Sequence, residues 1–230
     1  TSLLTIVSVS SGSSVGLFGP IIHFGGCIAA ALERFFKLLS RGVILAAGGA
    51  AGIAALFSAP IAACIFAHEM LLRRFRSSES APVVMAALGG YFGAVMVLGD
   101  DRRFLSVMGD PPPLDPTSLS LAILVGISSG LLSSLYIYLI GAGPVWAKST
   151  KIHPILRPLV PATVLFLISP FFPQLIGPGM VSVNMALAGE FTFYLLIVLA
   201  FLKVFATAFC RSFGFHGGIL LPAVFFGAML

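Results

Sequence analysis

Two short segments combine glycine, proline and apolar residues in a pattern that favours ligand binding by the backbone. They read GLFGP, from Gly16 to Pro20, and GILLP, from Gly218 to Pro222. Glycine lets the backbone approach a ligand closely, and proline is tolerated in the first turn of a helix because its missing N–H is not needed there. The free N–H groups and the positive dipole end of a helix that begins at such a segment attract an anion. The two segments therefore predict an anion site built from backbone groups.

A glycine cluster has a second common explanation in an apolar protein. Small residues allow membrane helices to pack closely, and the segment from Ala46 to Ala55, AAGGAAGIAA, is interpreted in this way. Two glycine-then-proline segments that each enter an uncharged apolar run fit the anion site better than helix packing.

The composition indicates an integral membrane protein. Of the 230 residues, 58% are hydrophobic and 9% are charged, and the mean hydropathy is +1.08, whereas ordinary soluble domains have about 25% charged residues. No charged residue occurs in 1–32, 117–147 or 159–189, and each run exceeds the roughly 20 residues that span a bilayer. The net charge of +5 comes from basic residues near the ends of segments. That distribution follows the positive-inside rule and does not indicate nucleic-acid binding.

The apolar pattern predicts an all-α fold with several broken and half-length helices. Helices are expected near 1–10, 19–35, 42–57, 60–73, 81–98, 118–142, 155–171, 181–188, 191–210 and 219–230. Pro60 separates the third helix from the fourth, and basic residues flank the outer ends of this pair, among them Arg41 and Arg73. The pair is therefore predicted to re-enter the membrane from the cytoplasmic side. Short helices are tolerated at membrane depth where the backbone is buried or lines a wet cavity, so these breaks imply a site.

Residues 1–230 are expected to form one transmembrane domain. Within it, residues 99–116 are polar and rich in proline, and they are predicted to form a loop on the membrane face opposite Arg73. No signal peptide precedes the first apolar segment, and the last residues also lie in an apolar run, so the sequence is interpreted as part of a longer protein. The spacing of Cys27, Cys64 and Cys210 is typical neither of a metal site nor of a disulfide framework.

The order of motifs resembles that of the CLC family of chloride channels and proton-coupled chloride antiporters. GLFGPIIHFGG at 16–26 is followed by LAAGGAAGIAALFSAPIAACIFAHEM at 45–70 and by GGILLPAVFFGAML at 217–230. The family pattern of glycine, a basic residue, glutamate, glycine and proline falls on Gly16, Leu17, Phe18, Gly19 and Pro20. Its pattern of glycine, any residue, phenylalanine, any residue and proline falls on Gly218, Ile219, Leu220, Leu221 and Pro222. The resemblance covers nearly the whole chain.

This resemblance implies a fold with tilted, broken and re-entrant helices in a CLC-like inverted repeat. Residues 1–98 would be the end of the first inverted half, and residues 117–230 the start of the second. The resemblance also implies a homodimer with one pore in each subunit, small anions such as chloride as substrate, and no enzymatic activity, cofactor or metal. The protein is expected to be multi-pass in a plasma membrane or bacterial inner membrane. The anion-binding residues that it implies are Gly16, Leu17, Phe18, Gly19, Pro20, Gly218, Ile219, Leu220 and Leu221.

Two of the family's anion ligands, a serine and a tyrosine, are expected outside this chain. Ser13 and Ser14 lack the proline that follows the family's serine motif, and they are interpreted as a polar turn.

The chain departs from the family pattern at two positions that carry protons. The glutamate that acts as outer gate and proton carrier falls at Phe18, and the glutamate that passes protons inward in the antiporters falls at Met70. Neither a phenyl ring nor a thioether titrates. Passive anion conduction, with Phe18 at the gate position, is therefore the leading interpretation.

Two other interpretations stay open. His68 and Glu69 adjoin Met70 and could provide a displaced proton path for an antiporter, since ionisable groups at membrane depth are functional candidates. Structural pairing with nearby Arg73 or Arg74 is the preferred explanation of these two residues. In the third interpretation the bulky Phe18 closes the pore, and the protein is a non-conducting membrane scaffold.

Overall fold

The all-α prediction is confirmed by the structure, a computed structural model that describes residues 2–33, 39–99 and 115–230. These residues form ten α-helices, together with a π-helical turn at Ala67–Leu72 and a 3-10 turn at Pro173–Leu175. The α-helices are α1 (Ser2–Ser10), α2 (Phe18–Ala31), α3 (Arg41–Phe57), α4 (Pro60–Phe66), α5 (Ser77–Leu98), α6 (Pro116–Ser149), α7 (Leu159–Ile168), α8 (Met180–Leu187), α9 (Phe193–Ser212) and α10 (Leu220–Ala228).

Helix lengths differ in the way that the broken apolar pattern predicts. By length and composition, α5, α6 and α9 are long and apolar enough to cross a membrane. Other apolar helices in the described part of the chain are shorter, among them α2, α3 and α7. The structure therefore combines membrane-length helices with half-length ones.

The end of α6 differs from the prediction, which placed it near residue 142. The helix continues through Pro144 to Ser149, although proline removes a helical hydrogen bond. A Cβ added to Gly143 would overlap the side chain of Ser212 in α9, so the two helices are in close contact there. The helix thus continues past its proline where it packs closely against α9. The helix predicted at 155–171 is shorter, because Pro158 occupies its N-cap position and α7 begins at Leu159.

The chain divides into two compact units, and the first contains the described residues 18–33 and 39–99. Here α3 packs against α2 and α5 through residues without bulky side chains. A Cβ on Gly48 would overlap the carbonyl oxygen of Gly25, and a Cβ on Gly90 would overlap the backbone of Ala51. The glycine-rich segment of α3 is therefore a helix-packing segment, as predicted.

The second unit contains the described residues 3–17 and 115–230. Its core joins α6, α9 and α10 through buried residues such as Tyr136, Leu199 and Phe226. Helix α1 packs in this unit although α2 follows it directly in sequence. The boundaries of the two compact units therefore differ from those of the predicted inverted halves, 1–98 and 117–230. The division into two halves related by symmetry stays a prediction.

Most of the predicted loop at 99–116 lies outside the described residues. At its end, Asp115 caps α6 by accepting a hydrogen bond of 2.8 Å from the N–H of Ser118. Hydrogen bonding to Ser118, through its side chain first and then through its N–H, favours the carboxylate and holds the pKa of Asp115 below its usual value. The start of α6 is thereby fixed at Pro116.

Candidate anion site

Two loops, one containing Gly16 before α2 and one containing Gly218 before α10, meet within the second unit and are called the glycine loops. The N–H of Gly16 donates to the carbonyl oxygen of Gly218 at 2.8 Å. In return, the N–H of Gly218 donates to the carbonyl oxygen of Gly16 at 2.6 Å. These two bonds form an isolated antiparallel bridge. The paired residues are the first glycines of the two motifs, so equivalent positions of the two segments contact each other.

Small residues make this approach possible. A Cβ on Gly16 would lie 2.9 Å from the Cβ of Leu221 and 3.3 Å from the carbonyl oxygen of Gly218. A Cβ on Gly217 would overlap the side chain of the fully buried Val15. Any larger residue at either glycine would therefore force the two loops apart.

A helix begins two residues after each paired glycine. Helix α2 begins at Phe18 and α10 begins at Leu220, and in each the third residue is proline. The first N–H groups of a helix have no acceptor within that helix. No side chain caps the start of α10, whose N-cap residue is Ile219. The two segments therefore place uncapped or helix-initial N–H groups directly after the bridge.

The bridge narrows the set of donors that the sequence predicts. The N–H groups of Gly16 and Gly218 already have carbonyl acceptors, and Pro20 has no N–H. Gly16, Gly218 and Pro20 therefore shape the loops. The remaining N–H donors of the predicted set belong to its other residues. These residues are Leu17, Phe18, Gly19, Ile219, Leu220 and Leu221.

Serine hydroxyls hold the loop that precedes Gly16. The hydroxyl of Ser13 donates to the carbonyl oxygen of Ser8 at 2.6 Å, and the N–H of His216 donates to the Ser8 hydroxyl at 3.3 Å. The hydroxyl oxygens of Ser14 and Thr207 are 3.4 Å apart in a buried contact. Ser13 and Ser14 thus make contacts expected of a polar turn.

Two buried polar residues near the loops were missed by the sequence reasoning. The hydroxyl of Tyr136 in α6 donates to the carbonyl oxygen of Ile219 at 2.9 Å and so holds the N-cap residue of α10. Lys203 lies fully buried in α9. A basic residue in the middle of a long apolar run is a signal that could have identified Lys203 from sequence.

Phe18, at the predicted gate position, belongs to an aromatic cluster in the first unit. Phe18 is 8% exposed, and its ring centre lies 5.5 Å from those of Phe57 and Phe66. The contact with Phe66 is edge-to-face, a favourable geometry for aromatic rings. The side chain at this position therefore packs as part of an apolar cluster and carries no group that titrates.

Met70, at the predicted inner proton position, lies in the π-helical turn that follows α4. Met70 is 57% exposed and Glu69 is exposed, whereas His68 is buried. Arg74 forms an ion pair of 2.8 Å with Glu79. The ion pairs of the described residues do not include Glu69, so its predicted pairing with Arg73 or Arg74 is wrong. The partner of Arg74 is Glu79, in the first turn of α5.

His68 joins the two ends of a tight chain reversal. Its Nδ1 lies 3.1 Å from the carbonyl oxygen of Arg74, and its own carbonyl oxygen accepts from the N–H of Arg74 at 3.1 Å. Because a carbonyl only accepts, Nδ1 carries the proton. The ring also stacks on Phe75 with centres 5.1 Å apart. Nε2 is buried without a partner in the described part of the chain.

Comparisons with known proteins agree with this fold. A family model described as voltage gated chloride channel matches residues 1–230. The chain is 26% identical to the H(+)/Cl(-) exchange transporter ClcA of Vibrio cholerae, over 96% of this chain and 49% of that protein. It is 29% identical to the chloride channel protein CLC-e of Arabidopsis thaliana, over 96% of this chain and 34% of that protein.

A solved structure shows the same architecture. The crystal structure of a CLC-type fluoride/proton antiporter matches with a TM-score of 0.76 and 22% identity, over 93% of this chain and 54% of that chain. The chain spans about half the length of the curated relatives that it matches. With its membrane-length apolar helices and a family match over residues 1–230, the chain is an integral membrane protein and belongs to the voltage-gated chloride channel family.

Proposed function

We propose that the protein is a passive transmembrane channel for chloride and similar small anions. The observation that carries this proposal is the chemistry of the two proton positions. Phe18 packs in a cluster of phenyl rings, and Met70 presents a thioether. Coupled exchange needs a group that binds and releases a proton at the outer gate and another at the inner relay. Neither Phe18 nor Met70 provides such a group.

The anion is bound by backbone N–H groups of the loop residues that follow Gly16 and Gly218 and of the start of α10. Helix-initial N–H groups carry partial positive charge and need no mobile cationic side chain. The bridge between Gly16 and Gly218 holds the loops before both helices in fixed positions. Binding by partial charges is weak enough to allow release, which conduction requires.

The second candidate is a proton-coupled antiporter with a displaced proton path. The unpartnered Nε2 of buried His68 favours it, and one relative is named as a proton/chloride exchange transporter. Against it, Nδ1 of His68 is engaged by Arg74 and the ring by Phe75. We therefore assign His68 to the structure of the reversal and retain the channel as the leading proposal.

The remaining expectations form part of the same proposal. The protein acts as a homodimer with one pore in each subunit, transports anions without a cofactor, and catalyses no chemical reaction. It lies in a plasma membrane or bacterial inner membrane.

Flux measurements on the full-length protein test this proposal. The purified protein is reconstituted in planar bilayers under a chloride gradient, with and without a superimposed proton gradient, and protein-free bilayers serve as control. We expect a reversal potential at the chloride equilibrium potential that the proton gradient does not move. A reversal potential that moves with the proton gradient would instead establish the antiporter, and the absence of any flux would establish the scaffold.

A further inference from the structure

Lys203 has an unusual environment for a lysine in an apolar helix. Its Nζ donates to the carbonyl oxygens of Gly177 at 2.7 Å and Leu175 at 3.1 Å, and it lies 4.7 Å from the centre of the Phe225 ring. All three neighbours are electron-rich, and an ammonium has three N–H groups to offer them. A neutral amine has only two N–H groups, which would leave none for the ring. The contacts therefore fit the charged form.

No acidic side chain neutralises this charge in the described part of the chain. The described carboxylates of the second unit belong to Asp115 and Glu190, and both residues are exposed. The ion pairs recorded among the described residues involve Glu33 and Glu79 of the first unit. Two carbonyl dipoles and one ring stabilise the ammonium but leave its full unit of charge in place.

Lys203 is also connected to the loop that precedes α2 and to helix α10. Gly177 accepts from Lys203 and donates its own N–H to the carbonyl oxygen of Gly12 at 3.3 Å. Thr207, one helical turn after Lys203 in α9, contacts Ser14. Phe225, over which the ammonium lies, belongs to α10. The charge therefore lies beside the loop that precedes α2 and against a side chain of α10.

We propose that Lys203 is the fixed positive charge that makes the proposed site selective for anions. It is not a ligand, because its N–H groups are directed at carbonyls and a ring. It acts through its field, which extends further than that of the backbone dipoles and is weakly screened inside the protein. This inference rests on the proposed function, since it requires that an anion binds at the glycine loops.

Two substitutions separate charge from hydrogen bonding. Lys203→Gln removes the charge but keeps an amide with two N–H donors for the two carbonyls, and Lys203→Arg keeps the charge. Thr207→Val is the matched control, because it removes a buried polar contact between α9 and the loop at Ser14 without a change of charge.

The first measurement is chloride binding. It is monitored as the thermal stabilisation of the full-length protein in detergent at increasing chloride concentrations. We expect Lys203→Gln to raise the half-saturating chloride concentration roughly tenfold, the order of effect of one unit charge on a nearby anion at an effective dielectric constant near 20. Lys203→Arg and Thr207→Val should bind chloride as the parent does. The second measurement is the permeability ratio of chloride to sodium in bilayers, which should fall in Lys203→Gln alone.

Each outcome decides between charge and structure. Unchanged binding and selectivity in Lys203→Gln would overturn the inference, as would equal losses in Lys203→Gln and Thr207→Val. If Lys203→Gln does not fold, Lys203→Met takes its place, and failure of both neutral variants to fold would make Lys203 a structural residue and also overturn it. Because binding is measured without flux, a parent protein that binds chloride but conducts none would refute the channel and leave this inference intact.

Discussion

The glycine loops and the proton positions illustrate two different ways of building a functional site. At the loops, the proposed donors are backbone N–H groups, and the chain places Leu17 and Ile219 there without loss of a donor. At Phe18 and Met70, the proposed loss of proton transfer depends on one side chain at each position. Backbone sites therefore tolerate changes of residue type that side-chain sites do not.

Packing explains why each region has kept or lost its features. The bridge between Gly16 and Gly218 leaves no room for a Cβ at Gly16, so substitution there would disturb two helix starts together. The ring of Phe18, by contrast, fills an apolar space beside Phe57 and Phe66. The aromatic contacts at this position thus stabilise a packing that contains no titratable side chain.

The largest effect is expected from Gly16→Ala, which tests the backbone side of this comparison. The new Cβ would lie 2.9 Å from Leu221, and either the loop or the start of α10 must move. Overpacking of this kind costs about 1–3 kcal/mol. We expect a lower melting temperature in detergent and loss of most chloride flux. The same substitution at Gly227, where a Cβ meets nothing within 4 Å, is the control and should preserve both. Normal flux in Gly16→Ala would show that the bridge is not needed.

The next effect concerns the gate position. Phe18→Glu places a carboxylate at the first residue of α2, where the helix dipole favours negative charge. The carboxylate competes with the anion, so we expect chloride conduction to be higher in acid, where the group is neutral, and lower above its pKa. Phe18→Gln is the uncharged control and should conduct independently of pH, like the parent. Equal pH dependence in the parent and both variants would remove Phe18 from the gate.

A smaller but sharper effect is expected from combining two carboxylates. Phe18→Glu alone should not move protons, because Met70 offers no inner relay. The double variant with Met70→Glu restores a titratable group at each step. We expect its reversal potential to move with a proton gradient, whereas each single variant stays at the chloride equilibrium potential. Coupling in Phe18→Glu alone would point to a relay elsewhere, and its absence in the double variant would show that two carboxylates are not sufficient.

The order of the helices follows from local features of the sequence, and most bounds were predictable for that reason. Apolar runs define the helices, and Pro60 marks the break after α3. The end of α6 was not predictable, because the helix continues through Pro144 in a region where it packs closely against Ser212 of α9. Local signals cannot report a contact with a helix that lies tens of residues further along the chain.

The candidate site shows the same division. Its two segments were recognisable because glycine and proline recur at the same spacing in both. The partners of Lys203 were not recognisable, since they are the carbonyls of Leu175 and Gly177, 28 and 26 residues away. Every residue has such a carbonyl, so sequence does not reveal which of them a buried ammonium will meet.

The smallest effect on transport is expected at His68, which tests whether the proton side of the comparison retains any function. His68→Gln keeps a donor for the carbonyl oxygen of Arg74, and His68→Leu removes it. We expect both variants to keep the parent's chloride conductance and its indifference to a proton gradient. His68→Leu should lower the melting temperature in detergent more than His68→Gln, because a lost hydrogen bond costs about 1 kcal/mol and Gln can replace it. If the parent moves protons and both variants stop doing so, the imidazole is a proton carrier. In that case the proton path was displaced from Met70 by two residues, and the backbone site works beside a side-chain site that has changed place.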